Sequence, residues 1–560
     1  MRFGLFYEHQ LPRPWDETSE AATFHNALEQ IELADRLGID HVWEVEHHFL
    51  EEYSHSSAPE VFLAAASQRT KNIRLGHGIV QLPVAFNHPA RVAERIATLD
   101  IVSNGRVDLG TGEASSQMEL GGFGVVREDK RAQWEEALDA IVGMFVEEPF
   151  AGYEGTYVSV PPRNVVPKPL QKPHPPLWVA CSRRDTILLA ARKGLGALSF
   201  SFVEPEDAEE WVDEYYRIIA SDECVPAGFE VNPNFAVVVP LMCHEDEDVA
   251  IERGIDGAHF FGYSLAHYYV FGRHRPGRTN VWEEFERHRG KHGFAREIIS
   301  AQGEPLGMRL LEQGLGSMRG AVGTPDQIAE LIRRYEAAGV DQVILVAQSG
   351  RNRHEHVCES LELFGSEVLP RFKSEADERD RLRRERLAEV CERALARREP
   401  PRAMSDDYLV TPDGEPRAAR VSGLAPSEEP SPEEAFLQEL RGKSDDELER
   451  LAEDVPVLRL IFERMAADFQ PEHAGGFEGE ICYELDGHVW TVRVEGDRAA
   501  AVESKAEAPA VTVRTSVPTF LRSVSGEDNA ALATMEGRIA LEGDVQVAMR
   551  LGDMFGRSRY

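Results

Sequence analysis

"VWEVEHHF", residues 42–49, decides how the rest of the chain is read. Val42, Trp43 and Val45 have the apolar character of a buried strand, yet the run ends in Glu46, His47 and His48. A core has no use for such groups, and burying them without partners costs free energy. A strand that ends in carboxylates and imidazoles fits one opening onto a ligand at the C-terminal mouth of a parallel barrel.

The same pattern recurs on both sides. RFGLFY, HVWEVE, IRLGHGIVQL, RVDLGTG, LWVACS, ALSFSF, FAVVVPLMC and QVILVAQ are eight apolar runs within residues 1–371. Most are continuous rather than alternating, as in parallel strands covered on both faces. Helical periods separate them at 18–37, 59–70, 88–99, 129–146, 185–193, 205–219 and 324–338. The last opens on a capping box, Thr324 to Gln327, with Pro325 at the first helical position. This order predicts an α/β fold, a (β/α)8 TIM barrel with insertions; a doubly wound open sheet is the competitor. Two stretches break the repeat. The proline-rich 147–176 reads as an ordered excursion, and the aromatic 257–320 as a lid over the barrel mouth.

The character changes beyond residue 372. Residues 373–432 read as a solvated, mixed-charge helix followed by a flexible linker rich in Pro, Ser, Asp and Glu. Residues 433–560 read as a small α+β domain. It starts at two helix caps, near Ser431 and Ser444, and contains a hairpin turned at Asp486-Gly487.

Composition narrows the function. The chain has 560 residues, 42% hydrophobic and 28% charged, with a formal charge of −36. Such a charge excludes a nucleic-acid partner, because phosphate contacts need a basic face. No apolar stretch has bilayer-spanning length, and the six scattered cysteines form no CxxC pair, so a cytoplasmic protein with reduced thiols is expected.

Polar residues end most of the strands: Glu8-His9, Glu46-His47-His48, His77 with Gln81, Gly110 to Glu113, Ser182-Arg183-Arg184, Ser199 with Ser201, and Gln348-Ser349. His41, His47, His48 and His77 with Glu46 could form a zinc set. However, adjacent His47 and His48 point to opposite sides of a strand, and no metal is assigned. The turn Gly110-Thr111-Gly112, followed by Glu113, allows main-chain amides to approach a ligand. Ser182, Arg183, Arg184 and Thr186 enter a helix and suit a phosphate; an exposed arginine pair is the alternative reading.

In this order, MRFGLFYEHQ, HVWEVEHHF, LGHGIVQLPVAFNHPARVAERIATLDIVSNGRVDLGTGE, PPLWVACS and GTPDQIAELIRRYEAAGVDQVILV resemble the bacterial luciferase-like flavin-dependent monooxygenases over residues 1–372. The resemblance implies an oxidoreductase whose barrel binds FMN at the strand C-termini, often as a homodimer or higher homo-oligomer. It implies a catalytic role for His47 at the flavin's reactive edge, with Glu46 and His48 as orienting neighbours. His77, Gly78 and Ile79 would underlie the isoalloxazine. Thr111, Gly112 and Glu113 would flank the ribityl–phosphate arm, and Ser182, Arg183, Arg184 and Thr186 the phosphate. Two departures stand out. Glu113 replaces a basic residue, and Gly112 replaces luciferase's reactive cysteine, so light emission is not implied.

Residues 433–556 resemble the sterol-carrier-protein fold, which implies a lipid-binding domain able to hold or deliver an apolar substrate. The expected function is a monooxygenase that uses reduced FMN as a cosubstrate, O2 and a small hydrophobic substrate. No nicotinamide fingerprint follows a strand, so a separate flavin reductase is expected. A deazaflavin-dependent dehydrogenase on the same barrel and a non-catalytic lipid-binding carrier are the alternatives.

Overall fold

All eight apolar runs form strands: β1 (Arg2–Tyr7), β2 (His41–Glu44), β3 (Arg74–His77), β4 (Val107–Gly112), β5 (Leu177–Cys181), β6 (Gly196–Ser199), β7 (Phe235–Cys243) and β8 (Gln342–Val346). Each pairs in parallel with the next, and β8 pairs with β1 at Arg2–Gln342, so the sheet closes. The computed structural model describes residues 1–200, 203–288, 320–405 and 408–410. It further describes 440–453, 456–474 and 476–555, apart from 526, 529, 536, 545–546, 549–550 and 552–553. It divides into two compact units, Met1–Asp406 and Asp407–Tyr560.

The helices around the barrel are α1 (Ser19–Leu37), α2 (Pro59–Arg69), α3 (Pro89–Val102), α4 (Gln117–Gly122), α5 (Lys130–Val146), α6 (Arg184–Arg192), α7 (Pro205–Ile219), α8 (Glu247–Ala266), α9 (Val281–His288), α10 (Pro325–Ala337), α11 (His354–Leu363) and α12 (Pro370–Leu395). The capping box before α10 is formed, with the Thr324 side chain accepting from the Gln327 amide. Residues 147–176 carry a two-residue ribbon, Tyr153–Glu154 against Ser159–Val160, and bury Phe150 and Val158.

Two tryptophans fill the lumen. A Cβ at Gly76 would lie 2.2 Å from the Trp43 ring, and one at Gly4 3.0 Å from it. Glycine on both flanking strands therefore makes room for the indole. Gly196 does the same for Trp178, and the two indoles meet edge to face with centroids 5.2 Å apart. This close packing leaves the ends of the barrel as the places where function can sit.

The strand N-terminal end is closed by α12. Sequence reading expects a solvated connector there, but Phe372, Ala376, Leu387 and Ala394 are buried. Arg2 at the start of β1 donates to Asp40 at 2.9 Å and to Asp380 of α12 at 2.8 Å, while Arg383 pairs with Asp341. The thin apolar stripe of α12 is a packing face, and this helix belongs to the first unit. Phe372 touches Phe3 edge to face at 5.9 Å. Phe372→Ala is predicted to cost about 3–5 kcal/mol in urea unfolding; a loss below 1 kcal/mol would show the helix undocked.

The second unit is a five-stranded mixed sheet: β9 (Gly479–Leu485), β10 (His488–Glu495), β11 (Arg498–Val502), β12 (Val511–Thr515) and β13 (Ile539–Gly543), in the order β11-β10-β9-β12-β13. Asp486 and Gly487 turn the hairpin at φ 46° and 100°. Ser444 and Glu447 cap the helix Asp445–Glu453, whereas the cap near Ser431 lies outside the described residues. Phe462 stacks between Trp490 and Phe520 in the core, at 5.0 and 5.2 Å.

Candidate active site

An aromatic cap covers the C-terminal mouth. Residues 257–266 complete α8, a π-helical turn spans His267–Phe271, and α9 follows; 289–319 lie outside the described residues. Phe261 packs on Phe6 of β1 and on Tyr53, at 6.4 and 5.8 Å. Gln10 donates to the Ser264 hydroxyl at 3.0 Å. Two adjacent carboxylates after β2 anchor the cap. Glu51 accepts from the Gly277 amide at 2.7 Å, and Glu52 accepts from the amides of Val281 and Trp282 at 2.5 and 3.1 Å. Glu52 thus satisfies the open N-terminus of α9 from another element.

His47 sits beneath this cap between two carboxylates. Its Nδ1 is 3.0 Å from Glu119 Oε1, its Nε2 is 3.8 Å from Glu8 Oε2, and the Tyr269 hydroxyl is 3.5 Å from Nδ1. Burial disfavours the charged imidazole, but Glu119 and Glu8 outweigh it and raise its pKa to about 9. The ring is therefore an imidazolium at neutral pH, with Nδ1–H donated to Glu119. Glu8 is pushed up to about 7, burial outweighing the pull of His47 and the hydrogen bond from Tyr53.

Glu119 is the residue that sequence reading missed. It is fully buried on α4, and its Oε1 also accepts from the His48 amide at 3.0 Å and Gln81 Nε2 at 2.7 Å. Glu46 does not orient His47 directly. Its carboxylate accepts from the Gln81 amide at 2.9 Å, Asn87 Nδ2 at 2.8 Å and His48 Nε2 at 3.1 Å. His48 turns the other way, edge-on to Phe123.

The remaining sequence candidates divide by the parity of their strands. Gly76 faces Trp43, so His77 on the opposite face lies toward Glu60 and Arg95 of the helix layer; burial lowers its pKa to about 4. Gly78 lies over Trp43 and Phe6, and Ile79 belongs to the lumen cluster. Thr111 points outward, accepting from Trp134 Nε1 at 3.0 Å, while a Cβ at Gly112 would lie 2.3 Å from Ile79. Arg184 is held by Glu210 and Glu214 at 2.7 and 2.6 Å. Thr186 caps α6 through the Arg183 backbone, and Ser182 and Arg183 are exposed.

A second polar pole lies at the ends of β4 and β5. A small recess there is lined by Glu113, Arg131 and Thr186 together with the apolar Trp134, Val179, Ala180 and Leu189 and with Gly112. Arg131 holds Glu113 with Nε and Nη2 at 2.9 and 2.7 Å, and Lys130 Nζ is 3.8 Å away. Lys130 and Arg131, at the start of α5, carry no mark of a ligand site in the sequence.

A family model for luciferase-like monooxygenases matches residues 1–342. The chain belongs to that family. A model of the SCP-2 sterol transfer family matches residues 463–556. The oxygenase component of a flavin-dependent trigonelline monooxygenase from Acinetobacter baylyi is 26% identical over 392 residues, 68% of this chain and 98% of that one. The crystal structure of the monooxygenase RslO1 from Streptomyces bottropensis is 26% identical, with TM-score 0.52, covering 66% of this chain and 99% of its own. The fold is also that of the oxygenating constituent of 3,6-diketocamphane monooxygenase from Pseudomonas putida, solved in complex with FMN. It is 23% identical, with TM-score 0.50, covering 66% of this chain and 98% of that one. This luciferase-like chain is an oxidoreductase, and among its described residues no helix is long and apolar enough to cross a membrane.

The residues fit a flavin in kind. Glu8 Oε2, Gln81 Oε1 and Glu119 Oε2 are buried and accept no hydrogen bond among the described residues. They lie around His47 beside an apolar lumen, and two cations, Lys130 and Arg131, stand near the end of β4 against Glu113.

Two outcomes follow from this luciferase-like site. His47, raised from 6.5 to about 9, stabilises the fold fully below pH 6.5, and that contribution is lost as pH rises through about 9. Glu8, raised from 4.5 to about 7, has the same sign over its lower window. Unfolding free energy should therefore fall from pH 6.5 to 9, and Glu119→Gln should flatten the fall by lowering the His47 pKa; an equal slope in the variant would contradict the pairing. Glu52→Ala should lower the local opening cost at Val281 and Trp282 by about 1–3 kcal/mol, read as faster amide exchange confined to the cap.

Proposed function

We propose that this protein is a flavin-dependent monooxygenase, using reduced FMN from a separate reductase and O2 to oxygenate a small hydrophobic substrate. The observation that carries the reading is the position of His47, 3.0 Å from Glu119 and 3.8 Å from Glu8 at a capped, apolar barrel mouth, where the two carboxylates raise its pKa to about 9. When bound, reduced FMN supplies the activation of oxygen. The chain supplies the surroundings. Glu119 takes Nδ1–H and fixes the ring, which leaves Nε2–H, 3.8 Å from Glu8, as the proton available to a ligand atom. Glu8, with its pKa near 7, can take up or return a proton beside it. Phe6, Phe261, Tyr53 and Tyr269 wall the same space with aromatic rings, which would limit water beside a bound flavin. Lys130, Arg131 and Arg183 would hold the phosphate. A separate reductase is supported by the trigonelline relative, an oxygenase component.

The second unit is proposed to bind the substrate or deliver it to the barrel. The Trp490 indole N–H is buried in the core between sheet and helix and donates to nothing among the described residues. A ligand oxygen would satisfy that group, and the tether would raise the local concentration of its cargo.

Melting temperature measured with FMN, reduced FMN and a deazaflavin tests the cofactor, since a ligand of the folded state raises it by mass action. Reduced FMN should give the largest rise, and oxygen uptake should match product. A rise with deazaflavin alone, without oxygen uptake, would replace the reading with a dehydrogenase. His47→Asn should lower turnover by about 10²–10⁴-fold and leave flavin affinity within a few-fold; lost flavin binding with intact turnover would contradict the role.

A further inference from the structure

The recess at the ends of β4 and β5 holds a group that works against the ligand it would take. We infer that Glu113 is an internal counter-ion which competes with the flavin's phosphate for Arg131 and Lys130. It thereby sets how strongly the barrel prefers a phosphorylated flavin over its dephosphorylated form. The inference rests on the flavin reading above and concerns only this chain's own side chains.

The geometry is that of a mimic. The Glu113 carboxylate meets Arg131 side-on, Oε2 accepting from Nε at 2.9 Å and Oε1 from Nη2 at 2.7 Å. That fork is the face of a guanidinium that pairs with two phosphate oxygens. Lys130 is drawn in as well, 3.8 Å from Glu113 and donating to the Ala114 carbonyl at 2.6 Å. Burial works against ionisation of Glu113, but the Arg131 hydrogen bonds and the charges of Lys130, Arg131 and Arg183 hold its pKa below the usual carboxylate range. The carboxylate is thus charged when a ligand arrives. Arg184 offers no substitute, since it is committed to Glu210 and Glu214.

The consequence is electrostatic. Glu113 cancels one unit of the positive charge that Lys130, Arg131 and Arg183 place around it. An incoming phosphate has to displace Glu113 from the Arg131 fork or share that fork with it, while being repelled by its charge. One like charge at such range is worth on the order of tenfold in affinity. Riboflavin, which has no phosphate, meets none of this. Glu113 therefore weakens retention of FMN specifically, which suits a flavin that arrives reduced and leaves oxidised.

Titration of the full-length protein with FMN and with riboflavin, followed by flavin fluorescence, tests this in wild type, E113Q and R131Q. E113Q should tighten FMN roughly tenfold and leave riboflavin within about twofold. R131Q should weaken FMN and spare riboflavin, and it guards against a fold artefact in the first variant. With inorganic phosphate alone, the melting temperature of E113Q should rise more than that of wild type. An unchanged FMN-to-riboflavin ratio in E113Q, or weaker FMN binding, overturns the inference while leaving the flavin reading intact. Failure of wild type, E113Q and R131Q to bind either flavin overturns the flavin reading itself.

Discussion

One oxygen atom organises the upper rim of the barrel. Glu119 Oε1 accepts from His47 Nδ1, from the His48 amide and from Gln81 Nε2, all within 3.0 Å, and the carboxylate itself is buried. Burying a carboxylate costs free energy unless it is hydrogen-bonded, and here the partners of Oε1 come from the segments after β2 and β3, while Oε2 accepts no hydrogen bond among the described residues. The same bonds hold His47 against a second carboxylate, Glu8, at the end of β1. Structure and charge state are therefore one problem at this site. Removing the carboxylate would unfasten two strand ends and discharge the imidazole together.

The rest of the first unit supports that arrangement. Trp43 and Trp178 fill the lumen below it, and Gly4, Gly76 and Gly196 admit their indoles. Helix α12 closes the opposite end through the Arg2 and Arg383 ion pairs. The cap from α8 to α9 is fastened by Glu51 and Glu52, three and four residues after His48, so a single short segment carries both His47 and the anchors of its cover. The recess beyond β4 and β5 is a separate place where Lys130 and Arg131 gather around Glu113, although the chain as a whole is strongly acidic.

The barrel was legible in the sequence because parallel strands buried on both faces write themselves as unbroken apolar runs, and the polar residues that end them mark one rim. His47 was legible for the same reason. Glu119 was not, because SSQMEL reads as an ordinary helix start, and its partners lie 38 and 72 residues away in the chain. Lys130 and Arg131 were hidden similarly; a basic pair at a helix start shows its role only once Glu113 is seen against it. Arg184 illustrates the reverse. It is placed for a phosphate in the sequence, but two glutamates on α7 claim its guanidinium. His77 and Thr111 sit at the ends of the strands expected for them, with their side chains toward the helix layer. Parity is fixed by neighbours such as Gly76 over Trp43, which no local pattern reveals.

The account stands on His47 being charged and clamped. A long-range proton–nitrogen correlation spectrum of the full chain, ¹⁵N-labelled in histidine and recorded at about pH 7.5, reads that state directly. Both ring nitrogens of His47 should carry protons, with Nδ1–H shifted downfield by its bond to Glu119. A neutral ring at that pH, titrating near the ordinary histidine value, would contradict the account.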